Sequence, residues 1–176
     1  VQQVASVYVG FFGRAPDSPG LAFWTERYEE TADGRTNYEI IEEMARDFRF
    51  SDEAQAKYPF LDPAQENDAD VSEIQSFVSN SYDNLFGREP TDEGLNYWTE
   101  KIGVALANDD SVSDMIVDIM AGARNNDRTT LVNKVMAGHA YSRTSGQDEF
   151  DVEESSNLLR QLGADPDSVS DAFGML

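Results

Sequence analysis

Tyr8 to Tyr28 reads YVGFFGRAPDSPGLAFWTERY, and 74 residues further on, Tyr82 to Ile102 reads YDNLFGREPTDEGLNYWTEKI. At that single offset Tyr8 pairs with Tyr82, Phe12 with Phe86, Gly13 with Gly87, Arg14 with Arg88 and Pro16 with Pro90. Gly20 and Gly94, Leu21 and Leu95, Trp24 and Trp98, Thr25 and Thr99, and Glu26 and Glu100 continue the register. Identities that share one spacing mark a tandem duplication. Its boundary falls near Pro63 to Asp70, where LDPAQENDAD is polar and rich in breakers.

Each copy reads as helical. Val4, Val7, Tyr8, Phe11 and Phe12 recur at helical spacing, and Gly13 sits where a left-handed residue ends a helix. Asp17 is a good N-cap for the next helix and Thr91 takes that role in the second copy. Leu21, Trp24 and Tyr28, like Leu95, Trp98 and Ile102, then form one apolar stripe. A third helix opens at Thr36 with Glu39 as a capping box and carries Tyr38, Ile41, Met44, Ala45 and Phe48 inward. Its counterpart starts near Ser111 and carries Val112, Met115, Ile116, Ile119 and Met120. Further helices are predicted at Ser51 to Tyr58, Val71 to Phe86 after Asp70, Arg128 to Ser142 and Val152 to Leu162. No stretch alternates with period two. The expected fold is all-α: two pseudo-symmetric helical units packed through their Trp-bearing helices into one compact domain or domain pair. The first repeat spans residues 1–66 and the second 67–143, with an acidic connection and C-terminal helix over 144–176.

Composition narrows the chemistry. The 176 residues carry 13 Lys plus Arg against 34 Asp plus Glu, a formal charge of −21, with 40% hydrophobic residues, enough for a core. A field of that sign repels polyanions, so nucleic acid is excluded as a partner. The absence of cysteine removes disulfides, thiolate nucleophiles and thiolate metal sites. A single histidine, His139, cannot supply a His-rich centre, and no P-loop or dinucleotide glycine fingerprint is present. No apolar run approaches the ~18 residues a membrane span needs. Val1-Gln2-Gln3-Val4 shows no signal-peptide pattern, and the chain reads as a fragment whose targeting information lies elsewhere.

The Gly-Arg-x-Pro-x-x-x-Gly-Leu-x-x-Trp signature resembles that of the bacterial family called domain of unknown function 4214, whose repeats carry an FGR-x-PD-x-x-G-L-x-x-W core. FGRAPDSPGLAFW, Phe12 to Trp24, matches it fully; FGREPTDEGLNYW departs only by Thr91 in place of Asp. Asp127 to Tyr141, DRTTLVNKVMAGHAY, is similar to a segment that follows the core in that family, so the resemblance covers roughly residues 1 to 142. The Tyr-x-x-x-Phe-Gly-Arg turn also resembles, more faintly, that of phycobilisome linker domains. The family occurs as modules of secreted bacterial proteins such as surface-layer proteins, adhesins and calcium-repeat proteins. The resemblance therefore implies a secreted, non-catalytic module at the bacterial cell surface. Its partners would be a cell-surface polysaccharide or lipopolysaccharide, or sister subunits of a surface lattice, with no membrane insertion.

No catalytic, cofactor-binding or metal residue is assigned from sequence. Trp24 and Trp98 read as core, and Arg14 and Arg88 as bridges from a helix end to an acid such as Glu26 or Glu100. Glu26, Glu29, Glu30, Glu42 and Glu43 offer the paired carboxylates of a glycoside-cleaving enzyme, the third reading, but also an ordinary charged face. No cofactor is required. Calcium is possible, with candidate ligands Asp62, Glu66, Asp68 and Asp70, then Asp109 with Asp110, and Asp165 with Asp167. None has the EF-hand pattern. The second reading is accordingly a calcium-responsive adhesion or self-assembly module without glycan affinity.

Overall fold

A computed structural model describes residues 2–29, 34–62, 69–108, 111–112, 114–145 and 149–174. These form ten α-helices and one 3-10 turn, with no strand among the described residues. In chain order the helices are α1 (Gln2–Phe12), α2 (Ser18–Glu29), α3 (Asn37–Phe48), α4 (Asp52–Lys57), α5 (Val71–Phe86), α6 (Asp92–Ala107), α7 (Met115–Gly122), α8 (Asn125–Thr144), α9 (Val152–Arg160) and α10 (Pro166–Gly174). The all-α expectation holds.

The punctuation works as the residue types dictate. Thr36 and Asp70 each open a capping box, with Glu39 and Glu73 reaching back to the cap backbone. Each box satisfies two amides that a helix start would leave orphaned. Asp17 Oδ1 accepts from the Gly20 amide at 2.7 Å and Thr91 Oγ1 from the Gly94 amide at 3.1 Å. Gly13 and Gly87 sit at φ +66° and +67°, where a Cβ would be strained, and so let α1 and α5 stop.

Helix α1 lies at the centre. It packs on α8, α5 and α3, and α5 in turn packs on α6 and α8. The seam is aromatic: Phe11, Phe48 and Phe77 are almost wholly buried, and Phe77 receives the edges of Tyr58 and Phe60 at centroid distances of 5.0 and 5.7 Å. Edge-on contacts of this kind add to what area burial supplies. The Gly10 backbone faces Ile116, whose Cδ1 would stand 2.9 Å from an added Cβ, so a side chain there would require the isoleucine to shift where α1 meets α7.

Four expectations are corrected. The units do not meet through the Trp-bearing helices; α1, α5 and α8 form the seam, with Val4, Phe11, Phe77, Leu85 and Ala137 buried along them. Tyr38 does not point inward: it is 41% exposed, and Ile40 takes the core position with Met44, Ala45 and Phe48. Tyr38 lies two residues from Ile40, about 200° around the helix. The counterpart of α3 begins at Met115 rather than near Ser111. Trp98 is buried but Trp24 is only partly so.

The two Gly-Arg-x-Pro turns share one set of contacts. Arg14 donates to Ala15 O and forks onto Glu53 at 2.9 and 2.6 Å; Arg88 donates to Glu89 O and forks onto Asp127 at 2.8 and 2.6 Å. Each guanidinium lies over its own tyrosine and phenylalanine, Tyr8 with Phe12 and Tyr82 with Phe86. The carboxylate is 39 residues downstream in both, not the expected Glu26 or Glu100. The environments differ, because α9 closes over the first turn: Ser155 Oγ accepts from the Ala15 amide at 2.7 Å. The Arg14 side chain is 7% exposed and that of Arg88 43%.

Two paired substitutions follow from this asymmetry. Arg14→Ala removes a nearly buried guanidinium, with its packing on Tyr8 and Phe12 and its hydrogen bonds to Ala15 O and to the partly exposed Glu53, and should cost about 2 kcal/mol in urea unfolding, whereas Arg88→Ala should cost under about 1 kcal/mol. Equal losses would contradict it. A Cβ on Gly20 would stand 2.4 Å from Tyr8 Oη, while on Gly94 its nearest neighbour is Thr91 Oγ1 at 3.3 Å. Gly20→Ala should therefore destabilise by about 1–3 kcal/mol and Gly94→Ala by less than about 0.5 kcal/mol, read from the same unfolding curves.

Candidate functional site

The residues singled out from sequence scatter. Trp98 donates its indole N–H to Tyr82 Oη at 3.1 Å and packs against α5, so it is spent on architecture. Trp24 stacks between Phe48 and Tyr28, with centroids at 4.7 and 6.0 Å. Beside them, one residue earlier in each helix, Phe23 and Tyr97 stand 56% and 57% exposed with their rings edge-on to the tryptophans. Glu43 pairs with Arg35, Glu26 is exposed, and the side chains of Glu29 and Glu30 lie outside the described residues. His139 is half-buried, and burial with Arg143 nearby holds its imidazole below the ordinary value.

The calcium candidates are equally dispersed. Glu66, Asp68, Asp109 and Asp110 lie outside the described residues. Asp70 Oδ1 accepts from the Glu73 amide and the Ser72 hydroxyl, and Asp165 Oδ1 from the Asp167 amide. Asp62 ends the 3-10 turn at Pro59–Leu61. Among the described residues no three His, Asp or Glu side chains converge as a metal site.

The largest concavity that we describe is a groove of about 510 Å³ where α1, α3, α7 and α8 meet. Gln2, Gln3 and Ser6 come from α1, Asn37, Tyr38 and Ile41 from α3, Val117, Met120 and Ala121 from α7, and Leu131, Val132, Val135 and Met136 from α8. None is charged. In a chain with 34 acids this is a local reversal of the surface rule, and Tyr38, Val132 and Met136 remain 41%, 47% and 49% exposed there. The Tyr38 hydroxyl donates to Asp118 at 2.7 Å and Lys101 to the same carboxylate at 2.5 Å, which pins the ring at the rim. That hydrogen bond, first, and burial push the phenol up to about 12, so it stays a donor. The groove was missed in the sequence because it needs four helices; the only local signal was Tyr38, Val132 and Met136 standing off their helices' core stripes.

A second, smaller pocket is polar and lies where α1 and α5 end. Lys134, from α8, is 1% exposed and donates to Asp83 O at 3.0 Å and Asn84 O at 2.8 Å. It thereby answers the partial negative charge at the end of α5. Burial, the main cause, lowers its ammonium to about 8, with Arg160 adding repulsion and Asp83 opposing.

An all-helical chain with two arginine turns and an uncharged groove is thus the class that the geometry defines. Residues 45–126, the segment bearing the second Gly-Arg-x-Pro turn, match the family described as Domain of unknown function (DUF4214). The matched span is narrower than residues 1 to 142, and the first motif, Phe12 to Trp24, lies outside it. No curated protein and no solved structure matches the chain. Among the described residues no helix is long and apolar enough to cross a membrane.

Lys134 makes stability depend on pH in a definite sense. The folded ammonium releases its proton near pH 8 and an unfolded lysine near 10.4, so between these the unfolded chain binds more protons and rising pH favours the fold. Burial shifts Lys57 in the same direction. Tyrosines such as Tyr8, held up to about 12, oppose this only once unfolded phenols ionise near 10. Unfolding free energy should therefore rise by about 2 kcal/mol from pH 8 to 9.5, and the rise should shrink in Lys134→Met. A flat profile, or the same rise in the variant, would contradict the assignment.

Proposed function

We propose that this chain is a non-catalytic, extracellular module of a bacterial surface protein, and that it mediates surface assembly by seating an uncharged, apolar segment of a sister subunit in the α1/α3/α7/α8 groove. The observation that carries the reading is the groove's lining, apolar with amide groups at one rim and free of charge in a molecule at −21. Two such molecules repel over most of their surfaces, so contact is least costly where neither carries charge. Apolar area removed from water supplies the attraction. The placement at a bacterial surface rests on the family resemblance. Divalent cations such as calcium act in this account by screening and bridging the surrounding carboxylates rather than by filling a built site.

One observation favours glycan contact as the second reading. The exposed Tyr38 ring beside the amides of Gln2, Gln3 and Asn37 offers a stacking face with hydrogen-bonding groups, the combination that sugar rings use.

Sedimentation velocity over a concentration series separates the readings. The chain should self-associate, more strongly with added salt or millimolar calcium, and Met136→Lys should leave it folded and monomeric. A chain that stays monomeric throughout, yet binds envelope polysaccharide in a manner lost with Tyr38→Ala, would overturn assembly in favour of the glycan reading.

A further inference from the structure

The polar pocket at the ends of α1 and α5 gathers three cations, none of which is in a salt bridge among the described residues. It measures about 160 Å³ and is lined by Lys57 from α4, Asp83 and Asn84 from α5, Lys134 from α8, and Ser156 and Arg160 from α9, with Phe12, Gly13 and Leu159 as its apolar wall. At a liquid share of about 30 Å³ per water that is room for roughly five waters, enough for one small oxyanion. Six of the thirteen cations form the described salt bridges, all to carboxylates; Lys57, Lys134 and Arg160 are not among them. Three cations against the single carboxylate of Asp83 leave a surplus of two positive charges in the lining.

The hydrogen bonds that these cations already make do not exhaust them. Lys57 donates to Phe11 O at 3.2 Å and Lys134 to the two carbonyls of α5, which satisfies both helix ends and removes their partial negative charge as an objection. Each ammonium carries three donors and the guanidinium five, and Arg160 spends one on Asn157 Oδ1 at 2.8 Å. N–H groups are therefore left over on three helices that converge on one cavity. We infer that this pocket is a binding site for a tetrahedral oxyanion of charge minus two, the chemistry shared by inorganic sulfate or phosphate and by a phosphate monoester on a sugar. The charge surplus matches such a dianion, and charge-assisted hydrogen bonds to Lys and Arg are the strong kind. The lowered ammonium of Lys134 fits the same picture, because a bound anion would offset both its burial and the repulsion from Arg160. The inference does not depend on the groove or on its occupant.

Isothermal titration calorimetry of the full chain at constant ionic strength, with chloride replaced stepwise by sulfate or phosphate, tests it. Arg160 is exposed, so Arg160→Gln should fold normally by circular dichroism, and Arg128→Gln, exposed on α8 and outside the pocket lining, serves as the control. Saturable binding of sulfate and phosphate is expected, weakened about tenfold in Arg160→Gln and unchanged in Arg128→Gln. Glucose 6-phosphate in place of inorganic phosphate distinguishes the sources: equal or tighter binding assigns the site to a glycan ester, and its exclusion assigns it to the free ion. Absence of saturable heat with either inorganic ion, or equal binding in both variants, would show a general ionic effect only and overturn the site.

Discussion

The structure depends on how α1 stops. Its last turn is held by a guanidinium that lies on the helix's own aromatic rings, donates to the next carbonyl and forks onto a carboxylate 39 residues away. That one side chain joins the end of α1 to α4, which fixes where α2 leaves and where α3 returns. With Arg14 almost wholly buried, α9 can close over it, and the segment after α8 is drawn back onto the first turn. The second turn repeats the contacts at Arg88 and Asp127 without such a cover and stays exposed. Because Glu53 is 44% exposed, the guanidinium acts through its buried packing and directed hydrogen bonds more than through charge, and it specifies geometry more than it deepens the well.

Much of this was legible in the residues because the deciding effects are local. Glycine at a left-handed position, Thr36 and Asp70 three residues before a glutamate, and the stripe on α5 act within one or two turns of chain. What was not legible is tertiary. The arginines were assigned to Glu26 and Glu100 because those acids recur in the motif itself, whereas the true partners are Glu53 and Asp127. These also stand 74 residues apart and both are acidic, so the period carried the signal once similar rather than identical residues were compared. Tyr38 was placed inward because an aromatic near a helix start looks like core. The groove it borders exists only when four helices are assembled, and no window of one helix contains it.

Charge then explains how the surface is divided. With 34 acids against 13 bases, most faces repel other copies and other polyanions alike. Among the described residues a groove with no charge and a small pocket with a surplus of positive charge depart from that rule. An apolar groove loses nothing by being surrounded by acids, since its attraction comes from water exclusion rather than from field. In the proposed assembly the acids would confine contact to the groove, since like charges juxtaposed elsewhere disfavour other contacts.

Hydrogen exchange read by mass spectrometry on dilute and concentrated samples, at one pH and ionic strength, tests this division most directly. On concentration, protection should be gained in peptides spanning 37–41, 117–121 and 131–136, with α6 and α9 unchanged. Protection gained on the acidic faces instead, or association with no change at these three peptides, would contradict the assignment of the groove as the contact surface.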